Sequence, residues 1–255
     1  MEIIEKIEKA QEQTWWLPES AIIYEGEDHC YYKHDGKYFI VRFNPKDEDI
    51  EPLLSQIMNM VGSDPVRFIY MPHRHSEAII DAFRRTGFVK NNCYEARAIH
   101  VGDYNKKPPN QIRAVMVQTF EEMRQVYEVR RLIFGGKTPE PAENIRRFLH
   151  DATSPESRVR QFLAIDQESG DAVSQAGMSL FHKLSFSFLF AGGTLKKARG
   201  RGSYTALVAA RIAYARSVGI EHVGLFARKE TSAPIVAKQG FTLYGEMQDW
   251  NMNWD

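Results

Sequence analysis

The chain has 255 residues, of which 43% are hydrophobic, and its 33 Lys plus Arg balance its 33 Asp plus Glu. A neutral chain with a sequence pI of about 7.1 has no global field that attracts nucleic acid or anionic lipid, so neither is expected as a partner. Its two cysteines, Cys30 and Cys93, lack metal-ligand spacing, which argues against a disulfide framework and a zinc site. Since no apolar run approaches the ~20 residues that span a bilayer, we expect a cytoplasmic protein.

The first hundred residues alternate between helical and extended patterns. Apolar residues at three-and-four spacing predict helices, and β-rich runs on both sides of Asp35-Gly36 predict a tight hairpin. In chain order, we predict a helix at 3–11, strands at 29–33 and 37–43, a helix at 50–61, a strand at 66–71, a helix at 76–85 and an extended run to 101. These elements make up a predicted N-terminal α/β domain, residues 1–104.

A polar stretch with two adjacent prolines, residues 102–110, is the best linker candidate. The second predicted domain therefore covers residues 111–255. Its predicted elements are strands at 112–118, 160–165, 172–181, 184–190, 221–227 and 242–253, with helices at 120–134, 141–150, 205–218 and 231–239.

One pattern occurs twice in the chain: strand, loop, short helix, Gly-Phe and strand. The two Gly-Phe pairs, Gly87-Phe88 and Gly240-Phe241, are 153 positions apart (240 − 87). This spacing favours a weak internal duplication, although strand–helix–strand units also recur by chance. If the duplication is real, the N-terminal copy has no counterpart of the glycine-rich turn described next.

That turn joins the strand at 184–190 to the helix at 205–218. Gly200 and Gly202 remove Cβ atoms where backbone N–H groups approach a bulky anion, and the helix adds the positive end of its dipole. Arg199 and Arg201 carry guanidinium groups that suit phosphate oxygens. We therefore predict a phosphate-binding site, with a surface turn of solvated arginines as the alternative.

The same stretch resembles the cofactor-binding core of the GNAT superfamily of N-acetyltransferases, whose pattern is Gln/Arg-x-x-Gly-x-Gly/Ala between a strand and a helix. Arg199 and Gly202 match, whereas Tyr204 stands where the family usually has Gly or Ala. The resemblance covers about residues 111–255. It implies an α+β fold, with a mixed, mainly antiparallel sheet flanked by helices, preceded by a smaller α/β domain interpreted as a degenerate half-copy.

The resemblance also implies the transfer of an acetyl group from acetyl-CoA, or of another acyl group from its acyl-CoA, to a small-molecule or peptide amine. The amine attacks directly in a ternary complex, while the pantetheine arm pairs with the end of the central strand like an extra strand. The implied cofactor contacts are Thr194, Leu195, Arg199, Gly200, Arg201, Gly202, Ser203 and Tyr204. We predict that Gly202→Val abolishes cofactor binding and leaves the fold intact.

No catalytic residue is assigned. Val236 stands where many members have the Tyr that protonates the thiolate. Candidate bases and acids stay open among Glu230, Glu246, Asp249, His182, His222, Tyr204 and Tyr244. This gap supports a second hypothesis, a non-catalytic acyl-CoA-binding or regulatory protein; a nucleotide-binding Rossmann-like protein ranks last. The sequence leaves the acceptor and a homodimer open.

Overall fold

The computed structural model describes residues 1–13, 21–71 and 76–253. The chain forms two compact units. The first comprises Met1–Arg97 with Phe226–Ala237 and Thr242–Asp255, and the second comprises Ala98–Leu225 with Lys238–Phe241. Two C-terminal segments that the sequence assigns to the second domain thus belong to the first unit. The predicted boundary at 104–111 concerns the linear sequence and stays a prediction.

The secondary structure follows the hydrophobic periodicity. The first hundred residues form α1 (Ile3–Glu12), β1 (Ile22–Glu25), β2 (His29–His34), β3 (Lys37–Phe43), α2 (Ile50–Val61), β4 (Val66–Tyr70), α3 (Glu77–Thr86) and β5 (Val89–His100). The rest forms β6 (Ile112–Met116), α4 (Phe120–Phe134), α5 (Ala142–Thr153), β7 (Val159–Asp166), β8 (Ala172–Phe181), β9 (Phe186–Thr194), α6 (Ser203–Ser217), β10 (His222–Arg228), α7 (Ala233–Lys238) and β11 (Thr242–Met252).

In the first unit, β1, β2 and β3 pair antiparallel, β3 pairs parallel with β4, and β4 pairs antiparallel with β11. The β2–β3 hairpin turns at Asp35 (φ 49°) and Gly36 (φ 72°), where two successive positive φ angles match the twist of the strands. Helices α2 and α3 pack on this sheet through an aromatic core that includes Phe68, Phe83 and Trp250. The core is therefore built from both ends of the chain.

In the second unit, β6, β7, β8 and β9 pair antiparallel in sequence order, and β9 pairs parallel with β10. Helices α4 and α5 close one core with β7 through residues such as Met123, Ile145 and Leu163. Helix α6 buries Leu207 and Val208 completely. Strand β9 thus lies within the sheet and leads directly into the glycine-rich turn.

Two stretches of the chain, from β1 to α3 and from β7 to α7, share an order of elements: three antiparallel strands, a helix, a strand parallel to the third, and a second helix. The second helix is followed by a glycine at φ 96° in both cases, Gly87 and Gly240. The next residue, Phe88 or Phe241, is buried. A left-handed glycine ends a helix at no steric cost, and the following apolar residue seals its last turn. This shared order supports the interpretation of the first unit as a degenerate copy.

Candidate cofactor and acceptor site

The glycine-rich turn presents backbone donors that no neighbouring carbonyl uses. Gly200 and Gly202 have φ angles of 77° and 80°, and α6 begins at Ser203 without a side-chain cap. Among the described residues, the N–H groups of Gly200, Arg201 and Gly202 form no hydrogen bond of normal geometry with a backbone carbonyl. The first N–H groups of an α-helix also lack partners within the helix. The turn and the helix start together can therefore receive an anion.

The two arginines of the turn have different surroundings. Arg199 is exposed, and its Nε lies 3.4 Å from the carbonyl oxygen of Thr194. The Nη1 of Arg201 lies 2.6 Å from Oδ2 of Asp166, whose side chain is only 3% exposed. The Glu168 N–H donates to the other oxygen of that carboxylate at 3.1 Å. Arg201 therefore ties the turn to the end of β7.

A pocket of about 300 Å³ lies beside this ion pair. Three carboxylates (Asp166, Glu168 and Asp171) and two cations (Lys197 and Arg201) line it. An excess of carboxylates opposes the binding of a diphosphate. The amides of the turn, rather than this pocket, fit the predicted anion.

The expectation that Gly202→Val leaves the fold intact is corrected by the structure. A Cβ at Gly202 would lie 2.6 Å from Cγ of Pro109, and a side chain at φ 80° is strained in any case. A Cβ at Gly200 would meet no atom within 4 Å. Gly202 is therefore needed for the packing of the turn itself, and Gly200 is the glycine that faces open space.

The end of β9 carries a β-bulge. Gln175 pairs with Gly193 and Gly177 pairs with Phe190, so two residues of β9 stand opposite one residue of β8. One of the two, Ala191, has a φ of 49°. The side chain of Gln175, which is fully buried, donates to the Ala191 carbonyl at 2.6 Å. This hydrogen bond holds the bulge in its strained conformation.

On its other side, β9 leaves an open edge. Its parallel pairing with β10 covers only Phe186–Phe188, matched with His222–Gly224. In the described structure, β9 continues through Thr194 without further β10 partners. Because an unpaired strand edge exposes N–H and C=O groups, an extended ligand arm can add to it.

Tyr204, which departs from the family pattern, is packed inside the second unit. A Cβ at Gly192 would lie 3.2 Å from its ring. Burial raises the pKa of the Tyr204 phenol, and the Arg211 guanidinium partly offsets this. Arg211 is 1% exposed and donates to the carbonyls of Leu207 and Gly177 at 3.0 and 3.1 Å. Tyr204 therefore fixes the start of α6 against the end of β9.

Helix α4 brings to β8 and β9 three side chains that the sequence reading did not assign to a site. Nη2 of Arg130 lies 3.4 Å from Oε1 of Gln175. The Cδ1 and Cγ2 atoms of Ile133 would lie 3.0 Å from a Cβ at Gly193, and the Phe134 ring 3.5 Å from it. The spacing of 130, 133 and 134 on one predicted helix was the signal available in the sequence.

The acid–base candidates that lie on β10 and β11 have structural partners. Arg67 holds the carboxylate of Asp249, which is fully buried, through two bonds of 2.6 and 2.7 Å. The hydrogen bond from Lys229 lowers the pKa of Glu246, which opposes a role as a base near neutral pH. His222 pairs with Phe186 at the start of β9, roughly 25 Å from the turn along the strand.

The remaining candidates lie in the core or at the surface. Val236, at the position of the usual Tyr, is 1% exposed and belongs to the core. Tyr244 is 40% exposed, and Glu230 and His182 lie at the surface. Among the described residues, no helix has the length and apolar composition of a membrane span, and no three His, Cys, Asp or Glu side chains are grouped to hold a metal ion.

No family model and no curated protein sequence matches the chain, but solved structures do. A GCN5-related N-acetyltransferase from Kribbella flavida has a TM-score of 0.73 at 15% identity, covering 100% of this chain and 97% of that one. A GCN5-related N-acetyltransferase from Sphaerobacter thermophilus has a TM-score of 0.68 at 16% identity, covering 91% and 75%. The chain has the fold of the GCN5-related N-acetyltransferases.

This similarity confirms the predicted fold class. A tandem GNAT protein from the clavulanic acid biosynthesis pathway is also similar, with a TM-score of 0.66 at 11% identity, covering 96% of this chain and 87% of that one. Its similarity, as a protein named a tandem GNAT protein, agrees with the order of elements that occurs twice in this chain.

Proposed function

We propose that the protein is an acyl-CoA-dependent N-acyltransferase that transfers the acetyl group of acetyl-CoA to a primary amine of a small molecule or a peptide. The observation that carries this proposal is the set of free N–H groups at Gly200, Arg201 and Gly202 beside an uncapped helix start. Unpaired amides in a turn at a helix start bind phosphate groups. The GCN5-related fold supports the assignment of that phosphate to coenzyme A.

The residues present fit such a cofactor. The amides of 200–202 and the first turn of α6 would hold the diphosphate, with Arg199 exposed beside them. The open edge of β9, Leu189–Thr194, would accept hydrogen bonds from the pantetheine arm and donate to it. When bound, acetyl-CoA supplies an activated thioester.

The chain itself would contribute to the reaction by positioning the amine and the thioester and by excluding water. Holding the amine and the thioester carbonyl in one geometry removes most of the entropic barrier of a bimolecular reaction. The attacking amine must be neutral, and the carbonyl oxygen and departing thiolate need a donor and a proton. Because the candidates on β10 and β11 are paired or distant, we assign no catalytic base.

The test has two stages. Calorimetric titration with acetyl-CoA is expected to show binding, and thiol release in the presence of a panel of primary amines is expected to show turnover. Absence of binding would contradict the proposal. A cytoplasmic location and an acceptor that is neither nucleic acid nor lipid are part of the same proposal.

A second function is favoured by one observation: Val236 fills the position of the usual proton donor and is buried in the core. The protein would then bind acyl-CoA without catalysis, as a regulatory or binding protein. Tight acetyl-CoA binding with no thiol release on any amine would favour this alternative.

A further inference from the structure

Arg130 is the arginine of α4 that forms no ion pair within the described residues. Arg124 pairs with Glu121, and Arg131 pairs with Glu128, both at 2.6 Å. Glu122 accepts hydrogen bonds from the backbone N–H groups of residues 118 and 119 at the helix start. Within the described residues, no carboxylate lies within ion-pair distance of Arg130.

The neutral groups around Arg130 leave part of its hydrogen-bonding capacity unused. Its Nη2 reaches Oε1 of Gln161 and of Gln175 only at 3.4 Å, and its Nε is buried without a partner. Its guanidinium lies 4.8 Å from the centre of the Tyr127 ring. A cation held by amides and an aromatic ring keeps its full charge for an incoming anion.

This guanidinium lies near the bulge at the end of β9. Gln175 contacts Arg130 through its oxygen and the Ala191 carbonyl through its nitrogen, so one side chain separates Arg130 from the bulge. Ala191 and Gly192 are exposed. The Gln175 side chain therefore links Arg130 to the bulge.

The next turn of α4 is apolar where it meets the same strand. Ile133 lies against Gly193. Phe134 is 61% exposed and Leu132 is 55% exposed, so two large apolar side chains lie in solvent at the end of the helix. Arg130, Ile133 and Phe134 follow one another at helical spacing, so a cation and an apolar surface stand side by side above the end of β9.

We infer that this surface binds the acceptor, and that the acceptor is an amino acid or amino-acid-like amine with a carboxylate and an apolar side chain. Arg130 would hold the carboxylate, and Ile133 and Phe134 would contact the apolar group. This places the amine beside the bulge of β9. The inference rests on the proposed acyltransferase function, of which it specifies the substrate class.

The test compares acceptors that differ only in the carboxylate: leucine with leucinamide, and phenylalanine with phenylalaninamide. For Arg130→Gln, kcat/KM for the amino acids is expected to fall roughly 10- to 100-fold, the value of a charge-assisted hydrogen bond, while kcat/KM for the amides changes less than about 2-fold. Arg130→Lys, which keeps the charge, is expected to fall between wild type and Arg130→Gln. The amino-acid amides are weaker bases than the amino acids, so their rates differ for that reason alone. The quantity compared between variants is therefore the ratio of kcat/KM for the amino acid to kcat/KM for its amide.

Arg124→Gln on the same helix is the matched control, since Arg124 is paired and exposed; it is expected to leave both rates unchanged. The affinity for acetyl-CoA is measured for the wild type and for each variant. A failure to bind acetyl-CoA would contradict the proposed function, and this measurement distinguishes it from a failure to bind the acceptor. With cofactor bound, the inference is overturned if Arg130→Gln lowers both rates equally, or if the amino acids neither react nor bind to the acetyl-CoA-loaded protein by calorimetry.

Discussion

The ion pair between Arg201 and Asp166 leads to a prediction that separates two roles for Arg201. The Asp166 side chain is 3% exposed and lies 2.6 Å from Arg201, so the substitution Asp166→Asn removes a charge and keeps the shape. If Arg201 acts by tying the turn to β7, this distant change should weaken acetyl-CoA binding as much as Arg201→Gln does.

The magnitude follows from the burial of the two partners. A hydrogen bond to a charged group contributes about 1.5–3 kcal/mol, but the Arg201 side chain is 41% exposed and solvent screens such pairs. We therefore expect a loss of about 1–2 kcal/mol in the free energy of unfolding, measured by denaturant titration. If the same free energy holds the turn in its binding conformation, the Kd for acetyl-CoA rises by about 5- to 30-fold.

The assay is a double-mutant cycle with calorimetric Kd values for Asp166→Asn, Arg201→Gln and the double variant. Because either substitution breaks the same contact, the double variant should bind no more weakly than the singles. Lys197→Gln is the control, since Lys197 pairs with Asp171 at 3.4 Å on the surface. The reasoning is refuted if Arg201→Gln raises the Kd for acetyl-CoA but Asp166→Asn leaves it unchanged or lowers it. That result would mean that Arg201 contacts the phosphates directly.

Three further predictions follow from single features of the structure. Gly202→Ala is expected to lower the free energy of unfolding by about 2–4 kcal/mol, because the new Cβ would be strained and would overlap Pro109. Gly200→Ala, whose Cβ would meet open space, is expected to lower it by only about 1 kcal/mol. Equal losses for the two variants in denaturant titrations would contradict this expectation. Calorimetry is expected to show one acetyl-CoA per chain, since the segment before α2 in the first unit carries carboxylates at 47–49 where an anion would bind; a second binding event would contradict this. Burial raises the pKa of Tyr104 and Tyr127 to about 12. Each phenol contributes roughly 2–3 kcal/mol to the free energy of unfolding; this contribution is complete below a pH of about 10, the pKa of tyrosine in the unfolded chain, and is lost as the pH rises through 12. The variant Tyr104→Phe should therefore lose less stability at alkaline pH than the wild type. An unchanged dependence of its stability on pH would contradict the raised pKa of Tyr104.

Local signals in the sequence predict much of this fold. The helix stop at Gly87, the turn at Asp35-Gly36 and the helix at 120–134 were all predicted, because each depends on a backbone preference or a periodicity within a few residues. The glycine-rich turn was also placed between a strand and a helix. Its free amides are a structural observation, and their ligand stays a proposal.

The features that the sequence reading missed depend on long-range contacts. Strand β1 consists of exposed residues with no alternation, so only its pairing with β2 defines it. The bulge at Ala191 depends on Gln175, which comes from another strand. The pairing of Arg201 with Asp166 likewise joins residues 35 positions apart in sequence (201 − 166). No window of neighbouring residues contains these contacts, and therefore local patterns could not predict them.

The central claim is that the amides of Gly200, Arg201 and Gly202 hold a diphosphate. The most direct measurement is a titration of isotopically labelled protein with acetyl-CoA, followed through its backbone amide resonances by NMR. We predict that these three N–H resonances move strongly downfield at saturation and that their exchange with solvent slows. Binding that leaves all three unmoved would contradict the claim.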